Sequence, residues 1–219
     1  MKNIFLIIAI VSMSIAAFGQ GFVNLNFESA KNMPTNASVG GFVAASNALP
    51  GWDASYGGYG VAPMPFLYYI NNVDGIGTLI EILGGEAALS GNYSVYVNPN
   101  SSISQTATVP DNALSLQFEG IIEVNGFYVS LGGVDLHYSL LSTGPKYDVY
   151  GANIPSYMDG QLETLNFNAV TGSGILDNIQ FSAMSVPEPS EGFLISFGAI
   201  LFSLFSLFKK IRGKRSVSY

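Results

Sequence analysis

A chain of 219 residues with 48% hydrophobic and 11% charged residues can form one ordinary domain and is too apolar to be disordered. It contains no cysteine, which excludes thiol catalysis, cysteine–zinc sites and iron–sulfur clusters. Between residues 20 and 185 there are thirteen acidic residues and two basic ones, Lys31 and Lys146, so this part carries a net charge of −11. We expect it to repel nucleic acid and anionic lipid, because phosphate binding depends on lysine and arginine. Divalent cations and neutral ligands are favoured as partners instead.

Residues 1–19 have the three-part pattern of a secretory signal peptide. Lys2 is the positive n-region, and the run from Ile4 to Ala17 is the apolar h-region. Ala17 and Gly19 are small residues at positions −3 and −1 of a cut before Gln20. A membrane anchor is the alternative, but the apolar run is short and the small-residue site follows it directly. We therefore predict export and removal of residues 1–19.

Residues 20–185 alternate apolar and polar side chains in short runs separated by turn signals. The runs lie at residues 23–28, 93–97, 114–119, 134–140, 165–167 and 179–183. Glycine-rich or proline-rich turns lie between them, at residues 84–85, 90–92, 110–112, 132–133 and 172–174. A period of two predicts half-buried antiparallel strands, and no long segment keeps a helical period. We predict an all-β domain over residues 20–185, folded as an antiparallel β-sandwich.

Five short stretches in this region carry a family resemblance. They are Asn26-Phe27-Glu28, Leu49-Pro50-Gly51-Trp52, and residues 88–94, 103–106 and 176–181. In this order they resemble the galactose-binding-like jelly roll of many carbohydrate-binding modules, over most of residues 22–183. The resemblance implies a jelly-roll topology.

The same resemblance implies a structural Ca²⁺ site at Glu28 and Asp177, completed by backbone carbonyls of nearby turns. The family often has a second acid where this chain has Asn178. Asp177 also shares its side-chain parity with Ile179 and Phe181, which predicts that it points inward and needs a partner. The alternative is that Glu28 and Asp177 are solvated surface acids.

Aromatic residues are concentrated in a stretch rich in glycine and proline that contains Trp52, Tyr56 and Tyr59, followed by Tyr68 and Tyr69. Exposed rings of this kind stack on sugar faces, so Trp52, Tyr56 and Tyr59 are candidate glycan-binding residues. The alternative places Trp52 in the core and the tyrosines in the packing of a long loop.

No motif in the chain selects catalytic residues. The one histidine, His137, would have to serve any Ser-His-Asp triad, and no G-x-S-x-G sequence accompanies it. Asp135 and His137 share a strand face and could pair on a metal, but a solvent-facing strand is the favoured interpretation. We predict that the protein is not an enzyme, with a glycan hydrolase using an unrecognised carboxylate pair as the alternative.

The C-terminal residues 186–219 follow a fixed order. Pro187-Glu188-Pro189 comes first, and the uncharged segment Gly192–Phe208 follows, just long enough to span a membrane. A basic tail ends the chain, with Lys209, Lys210, Arg212, Lys214 and Arg215. The positive-inside rule keeps this tail cytoplasmic and places the preceding domain outside. A buried core helix is the alternative for the apolar segment.

This ordered set resembles the PEP-CTERM protein-sorting signal. The resemblance implies export by the secretion machinery, transient anchoring in the inner membrane and processing by an exosortase near Pro187-Glu188-Pro189. It also implies a Gram-negative bacterium that makes exopolysaccharide. We therefore predict an exported, non-enzymatic protein of the cell surface or the exopolysaccharide matrix. A carbohydrate-binding module that recognises an extracellular glycan is the first alternative.

Overall fold

The computed structural model describes residues 21–34, 40–57, 62–70 and 80–187. The predicted signal peptide, the apolar segment Gly192–Phe208 and the basic tail lie outside these ranges, as do Tyr59, Glu188 and Pro189. None of the helices within the described ranges is both long enough and apolar enough to cross a membrane.

The described residues form fourteen strands and very little helix. The strands are β1 (Gly41–Ala44), β2 (Asp53–Tyr56), β3 (Ala62–Pro63), β4 (Phe66–Ile70), β5 (Ile80–Gly84), β6 (Tyr93–Val97), β7 (Ser101–Thr108), β8 (Ser115–Ile122), β9 (Phe127–Leu131), β10 (Val134–Asp135), β11 (Ser139–Thr143), β12 (Asp148–Asn153), β13 (Leu162–Ala169) and β14 (Gly174–Ser182). One short helix, α1, spans Ala45–Ala48, and single 3-10 turns occur at Gly85–Ala87 and Ser156–Met158.

Two sheets pack against each other, which confirms the predicted all-β sandwich. The larger sheet has the strand order β1-β4-β5-β6-β14-β8-β12-β11, and the smaller has the order β10-β9-β13-β7-β2-β3. All neighbouring strands in the two sheets are antiparallel except β4 and β5, which run parallel. Alternation of apolar residues indicates which face of a strand is buried and carries no information about strand direction. The parallel pairing of β4 and β5 was therefore not predictable from the alternation.

Two of the predicted strands were wrong. Residues 23–28 form turns, because Asn24 and Phe27 adopt left-handed backbone conformations with φ of 51° and 56° that interrupt an extended chain. Residues 134–140 do not form one strand, because β10 belongs to the smaller sheet and β11 to the larger one. The chain therefore crosses between the sheets in the middle of that run. The runs at 93–97, 114–119, 165–167 and 179–183 do lie in β6, β8, β13 and β14.

Aromatic rings join the two sheets at the centre of the core. The Phe118 ring in the larger sheet stacks on Tyr150 at a centroid distance of 5.5 Å and meets Phe167 of the smaller sheet edge-on at 5.4 Å. Phe167 also contacts Trp52 at 6.2 Å, and Trp52 contacts Phe27 at 5.7 Å. Phe118 and Phe167 are almost completely buried. Such contacts add to the hydrophobic stabilisation from burial, so this aromatic row is a main source of stability.

We predict that Phe167→Ala lowers the free energy of unfolding by about 3–5 kcal/mol, because it leaves a cavity between the sheets. Phe42→Ala is the matched control, since Phe42 lies on edge strand β1 with 76% of its surface exposed. The control should change stability by less than about 0.5 kcal/mol. Urea denaturation of both variants measures the difference, and equal losses would contradict the proposed core.

Candidate functional site: two carboxylates on one turn

The turn at residues 90–94, which includes the bend before β6 and the first two residues of that strand, receives side chains from both ends of the domain. Glu28 reaches it from the N-terminal segment, and Asp177 reaches it from the last strand, β14. The turn includes Gly91 with φ of +55°, a conformation that favours glycine. A Cβ atom at Gly91 would also collide with the Glu28 carboxylate. Glycine at this position therefore allows Glu28 to approach the backbone.

The Glu28 carboxylate accepts three hydrogen bonds from the turn. Its Oε1 accepts from the backbone N–H groups of Asn92 at 2.7 Å and Tyr93 at 3.0 Å, and its Oε2 accepts from Nδ2 of Asn92 at 2.8 Å. Burial acts to raise the pKa of Glu28, but these hydrogen bonds outweigh it and hold the pKa below its usual 4.5. The ionised form of Glu28 therefore fits the folded turn.

The Asp177 carboxylate lies on the other side of the turn and is only 1% exposed. Its Oδ2 accepts from Oγ of Ser94 at 2.7 Å and from the backbone N–H of Ser90 at 3.1 Å. Its Oδ1 accepts from the backbone N–H of Asn178 at 2.7 Å. Burial raises the pKa of Asp177 to about 6 despite these hydrogen bonds, and the negative charge of Glu119 adds to the rise.

A β-bulge at Asp177 corrects the parity predicted from the sequence. The pairing of β14 with β8 shifts between Asp177 and Gln180, where Asn178 adopts a left-handed φ of 43°. Asp177 therefore lies on the face opposite to Leu176 and Ile179, which are both in the main core. Asp177 does have hydrogen-bond partners, as predicted, but two of them, Ser90 and Ser94, belong to the turn at 90–94. The backbone N–H of Ile179 then donates to Leu25 O at 2.9 Å.

Asn178 occupies the position at which the galactose-binding-like family often has a second acid. Its amide group contacts another carboxylate. Its Nδ2 donates to Oε2 of Glu119 at 3.0 Å. Glu119 pairs directly with Asp177 across β8 and β14, and it also accepts a hydrogen bond from the hydroxyl of Tyr147, whose pKa it raises. Glu119 was not among the site residues predicted from the sequence. Its alternation with Leu116 and Phe118 placed it on the outer face of β8, but nothing in the sequence linked that face to Asp177.

The fit of these residues to Ca²⁺ is partial. Two carboxylates converge on one turn, as the resemblance implies, but each already accepts three hydrogen bonds of the roughly four that a carboxylate can take. Calcium needs six to eight oxygen ligands. Within the described ranges, no group of three or more histidine, aspartate or glutamate side chains is arranged to hold a metal ion. Calcium binding at Glu28 and Asp177 therefore stays a prediction.

The three candidate glycan-binding aromatics do not form one exposed cluster. Trp52 is 5% exposed, packs between Phe27 and Phe167, and donates its indole N–H to Asn24 O at 3.1 Å. Its ring therefore has no free face for stacking on a sugar. Tyr56 is 45% exposed at the end of β2, and Tyr59 lies outside the described residues.

A comparison with models of protein families finds no match, and a comparison with curated proteins finds no similar sequence. Function is therefore inferred from the residues of this chain.

We predict that Glu28→Gln lowers the free energy of unfolding by about 1–3 kcal/mol, because an amide cannot accept all three hydrogen bonds and loses the charge that strengthens them. Glu86→Gln is the control, since Glu86 is an exposed acid of the neighbouring 3-10 turn. Chemical denaturation measures both variants. A loss that is no larger for Glu28→Gln than for Glu86→Gln would show that the hydrogen bonds to the turn do not stabilise the fold.

The same pair of variants tests calcium. If Ca²⁺ binds Glu28, the melting temperature of the unmodified protein rises with added Ca²⁺ and falls with a chelator, and Glu28→Gln loses this response. If the hydrogen-bonded turn is complete without a metal, Ca²⁺ and chelator leave all three melting temperatures unchanged.

The raised pKa of Asp177 predicts that the stability of the fold depends on pH. Because its pKa rises from 3.8 to about 6 on folding, the folded protein holds the proton more tightly than the unfolded chain. This residue's contribution to stability therefore increases as the pH falls from about 7 to about 4. The difference between the two pKa values corresponds to about 3 kcal/mol in the free energy of unfolding. Solvent screening reduces the expected change in this free energy to about 1–2 kcal/mol. Denaturation of the wild type and of Asp177→Asn across this range measures it, and a constant difference between the two proteins would contradict it.

Proposed function

We propose that the chain is an exported, non-enzymatic surface protein that an exosortase processes at its C-terminus. The observation that carries the proposal is the way in which the folded domain ends next to the sorting motif. Val186 is buried, and its backbone N–H donates to Oδ1 of Asn153 at 2.6 Å while its carbonyl accepts from Nδ2 of Asn153 at 3.1 Å. The next residue, Pro187, is exposed. The motif Pro187-Glu188-Pro189 thus begins immediately after Val186, a residue anchored to the domain.

This arrangement suits a processing signal. A peptidase needs an extended, accessible segment, and the two prolines disfavour helix on either side of Glu188. The proposed route begins with the secretory signal at residues 1–19 and the secretion machinery. The segment Gly192–Phe208 then holds the protein transiently in the inner membrane, with the basic tail in the cytoplasm. Processing releases the domain to the cell surface or the exopolysaccharide matrix of a Gram-negative bacterium.

We assign the domain to the galactose-binding-like jelly rolls. The last two strands support this assignment, because they occupy inner positions in the two sheets. β13 lies between β7 and β9 in the smaller sheet, and β14 lies between β6 and β8 in the larger one. β14 also contacts the N-terminal segment, because the Ile179 N–H donates to Leu25 O at 2.9 Å and the Phe181 ring stacks on Phe22 at 4.9 Å.

Two observations support a non-enzymatic role over a hydrolase. Asp177 and Glu119 are adjacent carboxylates, but Asp177 is buried beneath the turn at 90–94 and bonded to it. His137 is exposed beside Asp135 and lines a shallow depression of about 250 Å³. The described residues that line this depression with His137 include no serine for the histidine to activate.

Glycan binding is the second candidate function. It is favoured by a polar groove on the outer face of the smaller sheet, which is lined by serine, threonine, asparagine and aspartate side chains. Binding of matrix polysaccharide is compatible with surface sorting, so the two functions can belong to one protein.

We predict that the mature surface protein lacks residues 1–19 and the residues after about Ser190, as measured by mass spectrometry of the protein released from cells. Glu188→Ala should stay in the membrane fraction with its tail intact, because it removes the charged centre of the sorting motif. Glu191→Ala removes an acid outside the motif and should be processed normally. Recovery of the intact 219-residue chain from the outer surface would contradict processing at either end.

A further inference from the structure

The outer face of the smaller sheet carries a polar surface whose centre is uncharged. One row of paired residues crosses five adjacent strands, with an acid at each end, and it consists of Asp53, Ser104, Asn166, Ser130 and Asp135. The neighbouring row on the same face consists of Ser55, Ser102, Asn168 and Tyr128. The residues between these rows, including Ile103 and Phe167, point to the opposite face and form the core. The sandwich therefore presents a regular array of hydroxyl and amide groups to one side.

A groove of about 670 Å³ lies on this face. Its polar lining comes from β2, β7 and β13 and comprises Asp53, Ser55, Ser102, Ser104, Thr164 and Asn166. The volume is within the range of small-ligand sites in proteins. Several strands contribute to the lining, so the spacing between its polar groups is set by the rigid hydrogen-bonded sheet.

Two amide oxygens on this face have no hydrogen-bond partner. Oδ1 of Asn166, which lines the groove, and Oδ1 of Asn168, two residues further along β13, are both buried and unbonded. The whole Asn168 side chain is only 4% exposed. A buried acceptor without a donor costs about 1–3 kcal/mol, so the protein bears a cost that a suitable ligand would remove. The missing groups are donors, such as hydroxyl or N–H.

The charge of the groove further restricts the chemical class of ligand that it can bind. Among the described residues that line it, Asp53 is the one acid and none is lysine or arginine, so this lining does not favour phosphate, sulfate or carboxylate groups. Trp52 borders the groove with its ring buried, so this ring offers no stacking face. Ala45, Ala54, Pro63 and Met64 line the groove beside its polar groups. A ligand with both hydroxyl groups and apolar C–H faces matches this mixed lining, which is the property of a neutral sugar chain.

We propose that this groove binds a neutral, hydroxyl-rich oligosaccharide along β7 and β13, with Ser104 and Asn166 at its centre. The inference rests on glycan binding, the second candidate function, and adds its position and ligand class. Single hydrogen bonds to neutral groups contribute little net free energy, so affinity should increase with the number of sugar units. The site lies on a sheet face, and of the aromatic residues predicted from the sequence Trp52 borders it with a buried ring.

The test uses the full chain in detergent and measures binding to neutral gluco-, xylo- and galacto-oligosaccharides of one to six units. Polygalacturonate and spermine serve as charged probes. We expect binding to at least one neutral series that strengthens with length and exceeds binding to either charged probe. Ser104→Gln should weaken it at least tenfold by filling the groove. Ser130→Gln is the matched control, because Ser130 belongs to the same row outside the groove lining, and it should bind normally.

Asn166→Leu separates binding from folding. It removes the unbonded oxygen, so we expect an equal or higher melting temperature together with at least tenfold weaker binding, whereas a purely structural asparagine would lower the melting temperature. Neutral-glycan binding that survives Ser104→Gln and Asn166→Leu would overturn this site and leave glycan binding intact. Absence of binding to every neutral series, or preference for a charged probe, would overturn both.

Discussion

The turn at residues 90–94 is the point at which the two ends of the domain are joined. Glu28 arrives from a segment that has no regular strand, and its three hydrogen bonds to Asn92 and Tyr93 stabilise that segment against the sandwich. Asp177 holds the last strand to the other side of the same turn through Ser90 and Ser94. Because the turn includes the first two residues of β6, and β6 pairs with β14, these contacts also support the pairing of the final strand. The position of the domain's end near Val186 depends on that pairing.

The two acids meet this shared turn with opposite electrostatic consequences. Glu28 is partly solvated and its hydrogen bonds favour the charged form, whereas burial of Asp177 favours the neutral form. A divalent cation, which the family resemblance implies at these two residues, would favour the charged form of both. In this chain, N–H and O–H donors occupy most of the carboxylate oxygens, and Asn178 replaces an acid with an amide that donates to Glu119. Hydrogen bonds from the turn thus stabilise both carboxylates in the folded chain.

The outer faces of the two sheets differ in chemistry. On the larger sheet, Ile70, Leu83 and Ala87 form a second buried apolar cluster, against which Tyr68 and Tyr96 pack. On the smaller sheet, serine, threonine and asparagine dominate, and some of their polar atoms lack partners. Polar groups on a sheet face are normally satisfied by water or by neighbours. Unbonded amide oxygens beside a groove are therefore better explained by ligand binding than by stability, which is improved when such groups are paired.

The sequence by itself predicted the fold class, which the structure confirms, and the export and sorting signals at the chain ends, which stay predictions. Period-two alternation predicted β6, β8, β13 and β14, because a half-buried strand places every second side chain in the core. The acidic centre and the ordered motifs at both termini predicted the function that we propose, since they are local patterns that need no tertiary contact to be recognised. Glu28 and Asp177 were selected by resemblance, and the structure does bring both to one turn.

Tertiary structure decided what depends on distant residues meeting. The bulge at Asn178 reversed the predicted side of Asp177, because one extra residue in a strand turns the side chains that follow to the other face. Trp52 became a core residue because Phe27 and Phe167, from remote parts of the chain, enclose it. The polar groove arose in the same way. Asp53, Ser104 and Asn166 lie far apart in sequence, and only the pairing of β2, β7 and β13 places them side by side.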